Sequence, residues 1–113
     1  MDISFKNKKM EKVLNSNSAM QKEYGQLTRK IQQRLAELRA APCLNDISHL
    51  PPPRLHQLEG ERDEQFAVDV KHPFRIVFVP NHDPIPRKPD GGIDRSMVTA
   101  IKIIEVGVDY HGK

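Results

Sequence analysis

Apolar residues in the second half of the chain recur at every second position. Phe66, Val68 and Val70 fall on one side of an extended segment over residues 65–70. Phe74, Ile76 and Phe78 do the same over residues 74–79, which turns Arg75 to the opposite side. Lys71-His72-Pro73 between them is short enough for a tight antiparallel turn. A further strand is expected over residues 97–106. The first half has a different period. Leu27, Ile31, Leu35, Leu38 and Ala41 repeat every three to four residues, which makes one apolar stripe on a helix. Arg29, Lys30, Gln33, Arg34 and Glu37 fill its polar side. Ser18 followed by Gln21 fits a capping box at the helix start. Pro42 disfavours continuation beyond Ala41, and Gly25 is a point where the helix can break in two. Upstream, Met10, Val13 and Leu14 have helical spacing, and residues 3–5 suit a short first strand.

Two proline-rich stretches separate these elements. Residues 42–53 contain four prolines, including Pro51-Pro52-Pro53, and read as a stiff, extended connector. Such a run also suits a proline-binding domain, but here it lies between structured elements rather than in a tail. Residues 80–96 hold four prolines, Gly91-Gly92 and charges of both signs. A loop of this length is long for a small domain, so it is functional or mobile. No internal repeat and no domain boundary is found, so residues 1–113 read as one domain. The order of elements predicts an α+β fold: an N-terminal short strand and two helices packed on one face of a small antiparallel sheet.

Composition narrows the class. A chain of 113 residues buries one modest core. With 37% hydrophobic and 29% charged residues it suits a soluble globular protein. No apolar run approaches the roughly 20 residues of a membrane span, and the lysine-rich start lacks the apolar core of a secretion signal. Cys43 is the single cysteine, so no internal disulfide forms and a reducing, cytoplasmic setting is expected. The five scattered histidines and the lack of a CxxC pair argue against a zinc site. Charge is uneven. Residues 1–41 carry nine Lys or Arg against four acids, a net of +5, while the remainder is at −2. A basic half suits a polyanionic partner such as nucleic acid, and equally a solvated helix face.

Four features carry candidate chemistry: Arg54-Leu55-His56-Gln57-Leu58-Glu59-Gly60, Arg75 within Phe74-Arg75-Ile76-Val77-Phe78, the end Asp109-Tyr110-His111, and the basic first half. Alone, each has a plain structural reading: a solvated histidine, a strand arginine paired with an acid, a polar tail. Together and in this order they resemble the HigB (plasmid maintenance killer protein) branch of the RelE/ParE toxin superfamily, over nearly the whole chain. The resemblance implies a RelE-like fold and a toxin of a two-gene, type II toxin–antitoxin system. It further implies metal-independent cleavage of mRNA on the ribosome, with no cofactor. The matching positions are His56, Arg75, Asp109, Tyr110 and His111. The implied partners are the ribosome with its mRNA and a HigA-like antitoxin carrying a helix-turn-helix domain.

Physical chemistry suits that set. RNA cleavage through the 2′-hydroxyl needs a base, an acid and positive charge at the phosphate. His56 and His111 titrate nearest neutrality, and either can be base or acid. Arg75 can grip a phosphate with two N–H groups. Asp109 can orient a histidine or take a proton. Tyr110 can stack on a base or simply fill the sheet end. Glu59 departs from the family, where this position is usually basic and binds phosphate. Arg62 or Lys71 is the candidate substitute; otherwise activity is altered. The loop over residues 80–96 is longer than usual and either meets a partner or is a tolerated insertion. Two other functions remain open: a ParE-like inhibitor of a protein such as DNA gyrase, and a plain nucleic-acid-binding module.

Overall fold

The computed structural model describes residues 1–109 of the chain. Helix α1 (Lys8–Leu14) opens at Asn7, whose side chain accepts the Met10 N–H at 2.8 Å. Helix α2 (Asn17–Tyr24) opens at Ser16, whose hydroxyl accepts the Ala19 N–H at 3.2 Å. The cap is therefore Ser16, two positions before the expected Ser18, whose hydroxyl lies 3.2 Å from that of Ser16. Gly25 has φ +54° and ψ −122°, a conformation that side-chain-bearing residues avoid. It ends α2, and a 3-10 turn (Gly25–Leu27) leads into α3 (Thr28–Ala40). Buried Thr28 locks the corner by donating its hydroxyl to the Met20 carbonyl at 2.9 Å.

The sheet has five strands in the order β1-β5-β4-β3-β2. These are β1 (Asp2–Phe5), β2 (His56–Gln57), β3 (Phe66–Lys71), β4 (Phe74–Pro80) and β5 (Ala100–Asp109). β2 through β5 pair antiparallel, as the alternation predicts. β1 instead joins β5 in parallel. A parallel partner requires a crossover, and the helical half of the chain supplies it. Ile31, Leu35 and Leu38 from α3 share one core with Phe66, Val68, Ile76, Phe78, Ile101 and Ile103. The Phe66 and Phe78 rings stack inside it, centroids 6.1 Å apart. The other sheet face carries a much smaller cluster of Leu58, Ala67 and Val77, with Ile104 against it. No helix of the described residues is long and apolar enough to cross a membrane.

One residue of the helix's expected polar side is misplaced by simple periodicity. Arg34 is 3% exposed. Its Nε donates to the Asp69 carbonyl at 2.7 Å, and its Nη1 pairs with Glu37 at 3.2 Å. The long stem packs with the apolar stripe while the guanidinium satisfies a strand carbonyl. That carbonyl sits where the β3–β4 register shifts, between Asp69 and Lys71.

The long loop after β4 is stitched to the body. Ile93 is buried in the main core, and Arg87 bridges to Ile93 in a short antiparallel contact. The Arg87 guanidinium reaches Glu64 at 2.7 Å. At the loop base, His82 Nε2 accepts the backbone N–H groups of Thr99 and Ala100 at 3.1 and 3.3 Å.

Arg34→Ala removes the buried donor to Asp69 and opens space beneath β3. Its unfolding free energy should fall by about 2–3 kcal/mol. Exposed Gln33→Ala should stay within about 0.5 kcal/mol of the parent. Urea titration followed by circular dichroism distinguishes these, and equal midpoints would refute the anchoring role of Arg34.

Candidate functional site

Strand alternation sorts the candidate residues onto one face. In antiparallel pairs, residues directly opposite share a side of the sheet. His56 pairs with Ala67, Ala67 with Val77, and Val77 with Glu105. This row crosses four strands at about 4.8 Å per strand. Its neighbouring row on the same face holds Asp69 paired with Arg75. The helices cover the opposite face, and no helix of the described residues covers this one; charged side chains lie over its small apolar centre instead. Its floor is the small apolar cluster of Leu58, Ala67 and Val77. Its walls are charged.

Three guanidinium groups converge there. Arg54 binds Asp69 with two hydrogen bonds, Nε to Oδ2 at 2.7 Å and Nη2 to Oδ1 at 3.0 Å. Arg62 ends a 3-10 turn (Gly60–Arg62) that follows β2. From there it reaches Glu105 on β5 at 2.5 Å and Gln65 at 2.8 Å. Arg75 stands on β4 between these pairs. Its surroundings lower its pKa from the ordinary arginine value. Partial burial is the main cause, and the charges of Arg62 and Arg54 act in the same direction. Glu105 and Asp69 oppose them. The guanidinium stays charged at any physiological pH. The result is a partly desolvated cationic centre framed by two carboxylates.

His56 lies at the rim on β2, half-buried. Its Nδ1 is 2.9 Å from the Arg54 carbonyl. A carbonyl only accepts, so Nδ1 carries the proton and the lone pair of the neutral ring lies on Nε2. Arg54 itself has φ +47°, the left-handed region that a non-glycine residue rarely occupies.

The other candidates are distributed as follows. Asp109 is the last residue of β5, its backbone in register with Phe74 beside Arg75. β5 therefore ends next to the residue pair that holds Arg75. Tyr110 and His111 lie outside the described residues. Lys71 is exposed at the β3–β4 turn, in register with Phe74. It is not among the groups whose charge acts on Arg75, whereas Arg62 is. Glu59 is exposed and extended, just before the turn that carries Arg62.

Arg54 lay in the candidate motif without a role of its own, and neither periodicity nor motif pointed to Asp69 or Glu105 as parts of the site. The usable signal was the parity of β3: Phe66, Val68 and Val70 face the core, which leaves Asp69 on the same face as Arg75 across a two-strand ladder. A charged residue inside an apolar strand is costly unless a partner stands opposite.

The chain shares its fold with solved RelE/YoeB-like toxins at low sequence identity. A YoeB/ParE toxin from Agrobacterium tumefaciens aligns over 97% of this chain and 100% of its own, with a TM-score of 0.56 and 10% identity. The toxin–antitoxin YoeB-YefM complex from Staphylococcus aureus matches over 97% and 98%, at TM-score 0.55 and 14% identity. A YoeB dimer from the same organism matches over the same shares, at 0.54 and 16%. No protein-family model matches the chain, and no curated protein matches it in sequence.

Glu105→Ala removes the carboxylate that holds Arg62 over the sheet. Affinity for a polyanionic probe, a short single-stranded oligonucleotide, should fall roughly three- to ten-fold as Arg62 loses its fixed position. Fluorescence anisotropy tests this; tighter binding that weakens as salt is raised would mean that Glu105 acts mainly by offsetting the positive charge.

Proposed function

We propose that this chain is the toxin of a type II toxin–antitoxin system, a HigB-like member of the RelE/ParE superfamily that cuts mRNA on the ribosome. The observation that carries the reading is the open sheet face on which His56 stands with Arg75, Arg54 and Arg62. The fold shared with YoeB-type toxins, at the identities given above, supports the class. The resemblance of His56, Arg75 and Asp109-Tyr110-His111 to the HigB pattern supports the branch.

The chemistry needs no reagent beyond RNA itself. A base takes the proton of a 2′-hydroxyl, and that oxygen attacks the adjacent phosphorus. The bond from phosphorus to the 5′-oxygen breaks as an acid protonates the leaving oxygen. The products are a 2′,3′-cyclic phosphate and a 5′-hydroxyl. His56 and His111 fill the acid and base roles. Asp109 orients a histidine or carries a proton. Arg75 holds the phosphate and stabilises the charge that develops on it. Arg62 takes the phosphate-binding part that a basic residue at position 59 plays elsewhere in the branch. Tyr110 stacks on a base of the substrate.

The basic half supplies the larger docking surface. Eight of the nine Lys and Arg residues in positions 1–41 are exposed, Arg34 being the exception, so most of the charge is available to ribosomal RNA. The partner that restrains the toxin is a HigA-like antitoxin with a helix-turn-helix domain. The toxin of the Staphylococcus aureus complex is likewise paired with an antitoxin.

Induction followed by primer extension should reveal new mRNA 5′ ends within translated regions. His56→Ala and His111→Ala should each reduce cleavage by about 10²–10⁴-fold and relieve growth arrest. Intact mRNA in arrested cells, with toxicity that survives both substitutions, would overturn this reading in favour of a ParE-like inhibitor of a protein target.

A further inference from the structure

The residue before the Leu55-His56 step is held in an unusual way. Arg54 occupies the left-handed region at φ +47°, although its side chain disfavours that conformation. Several contacts fix it there. Its N–H donates to the Leu50 carbonyl at 3.1 Å, and the next residue, Leu55, donates to Ser48 at 2.9 Å. Its side chain is gripped by Asp69 through two parallel bonds, a geometry that fixes direction as well as distance. Asp69 in turn is anchored through its backbone. Its N–H donates to the Pro53 carbonyl at 2.8 Å, and its carbonyl accepts from buried Arg34 at 2.7 Å.

The consequence falls on His56. The left-handed turn aims the Arg54 carbonyl at His56 Nδ1, 2.9 Å away. We propose that Arg54 and Asp69 are positioning residues for His56: their ion pair holds the Arg54 backbone so that its carbonyl fixes the Nδ1–H tautomer and assigns proton transfer to Nε2. As a base, Nε2 receives the proton. As an acid, the imidazolium gives up its Nε2 proton and keeps the one on Nδ1. Either role runs through one nitrogen, and an outer hydrogen-bond partner sets which one, as it does for metal-bound and triad histidines. The catalytic part of this assignment rests on the nuclease reading; the tautomer and its dependence on Asp69 do not.

The test separates the two. Long-range proton–nitrogen NMR spectra of the full-length chain, recorded without RNA and with His56 neutral, report the tautomer directly. The parent should show a protonated Nδ1 and an unprotonated Nε2. Asp69→Asn and Arg54→Lys both break the two-bond grip, and each should shift His56 toward a mixture of tautomers. Asp69→Glu, which keeps the carboxylate, should restore the parent pattern in part. In RNA cleavage the first two variants should lose roughly 10- to 100-fold in kcat, with KM within about two-fold, as expected for misplacement of a catalytic group. An Nε2–H tautomer in the parent overturns the proposal without any variant. So does an unchanged His56 spectrum in Arg54→Lys, particularly with the loss confined to KM, which would make Arg54 a phosphate ligand only. An Asp69-dependent tautomer in a chain that cuts no RNA supports the pair and sinks the nuclease reading.

Discussion

Asp69 is the point at which the helical layer, the sheet and the charged face are joined. Its carbonyl faces the helices and takes the Arg34 guanidinium. Its N–H holds the end of the proline-rich connector through Pro53. Its carboxylate projects onto the open face and binds Arg54. A strand residue presents its side chain to one face and its backbone groups in the plane of the sheet. The register shift after Asp69 disturbs the ladder at this place, which makes its backbone groups available to partners outside the sheet. Arg34 is buried because that carbonyl needs a donor. A buried cation without such a partner would be strongly unfavourable.

The same constraint sets the shape of the site. The connector over residues 42–53 is not extended but folds through a 3-10 turn (Leu44–Asp46), with Leu44 and Ile47 in the core, so fixing its end at Pro53 fixes the start of β2 as well. His56 then enters the sheet at a defined height, opposite Ala67. Small side chains at Ala67 and Val77 keep the floor low between the charged walls, and both are fully buried. Larger residues at these positions would fill the face that the guanidinium groups surround.

Much of this was legible in the sequence because it follows from periodicity. The alternations at Phe66-Val68-Val70 and at Ile76-Phe78 identified the core face of β3 and β4. The stripe Ile31-Leu35-Leu38 identified the buried side of α3, and Gly25 marked the break before it. What periodicity missed has physical causes. Arg34 lies among polar helix positions, but its stem is long enough to run along apolar surface and deliver its charge to a carbonyl that only the tertiary fold places there. Ser16 and Ser18 are both competent caps, and the choice depends on where α1 ends. β1 was recognisable as a strand, but its parallel pairing with β5 depends on a crossover made by the whole helical half. On the candidate site, His56 and Arg75 stood out in the sequence because a motif marked them. Arg54 read as part of the same motif without a role, since its importance lies in its backbone angle and carbonyl rather than in its residue type. Asp69 and Glu105 looked like ordinary strand charges until the register set them across from Arg75 and Val77.

Three arginines and two carboxylates share this face, and the geometry explains how they are compatible. Arg54, Arg62 and Arg75 repel one another at close range, and Arg75 is also partly removed from water. Without Asp69 and Glu105, that repulsion would spread the long side chains into solvent, where each keeps its rotamer freedom. The two acids hold the outer arginines in fixed positions and lower the cost of packing three cations together. A phosphate that enters the face then meets preorganised donors and need not order them itself. Glu59 fits this scheme at its edge. It is exposed, and the turn that follows it carries Arg62 to Glu105 on β5. Three residues after Glu59, Arg62 is held over the sheet by Gln65 and Glu105.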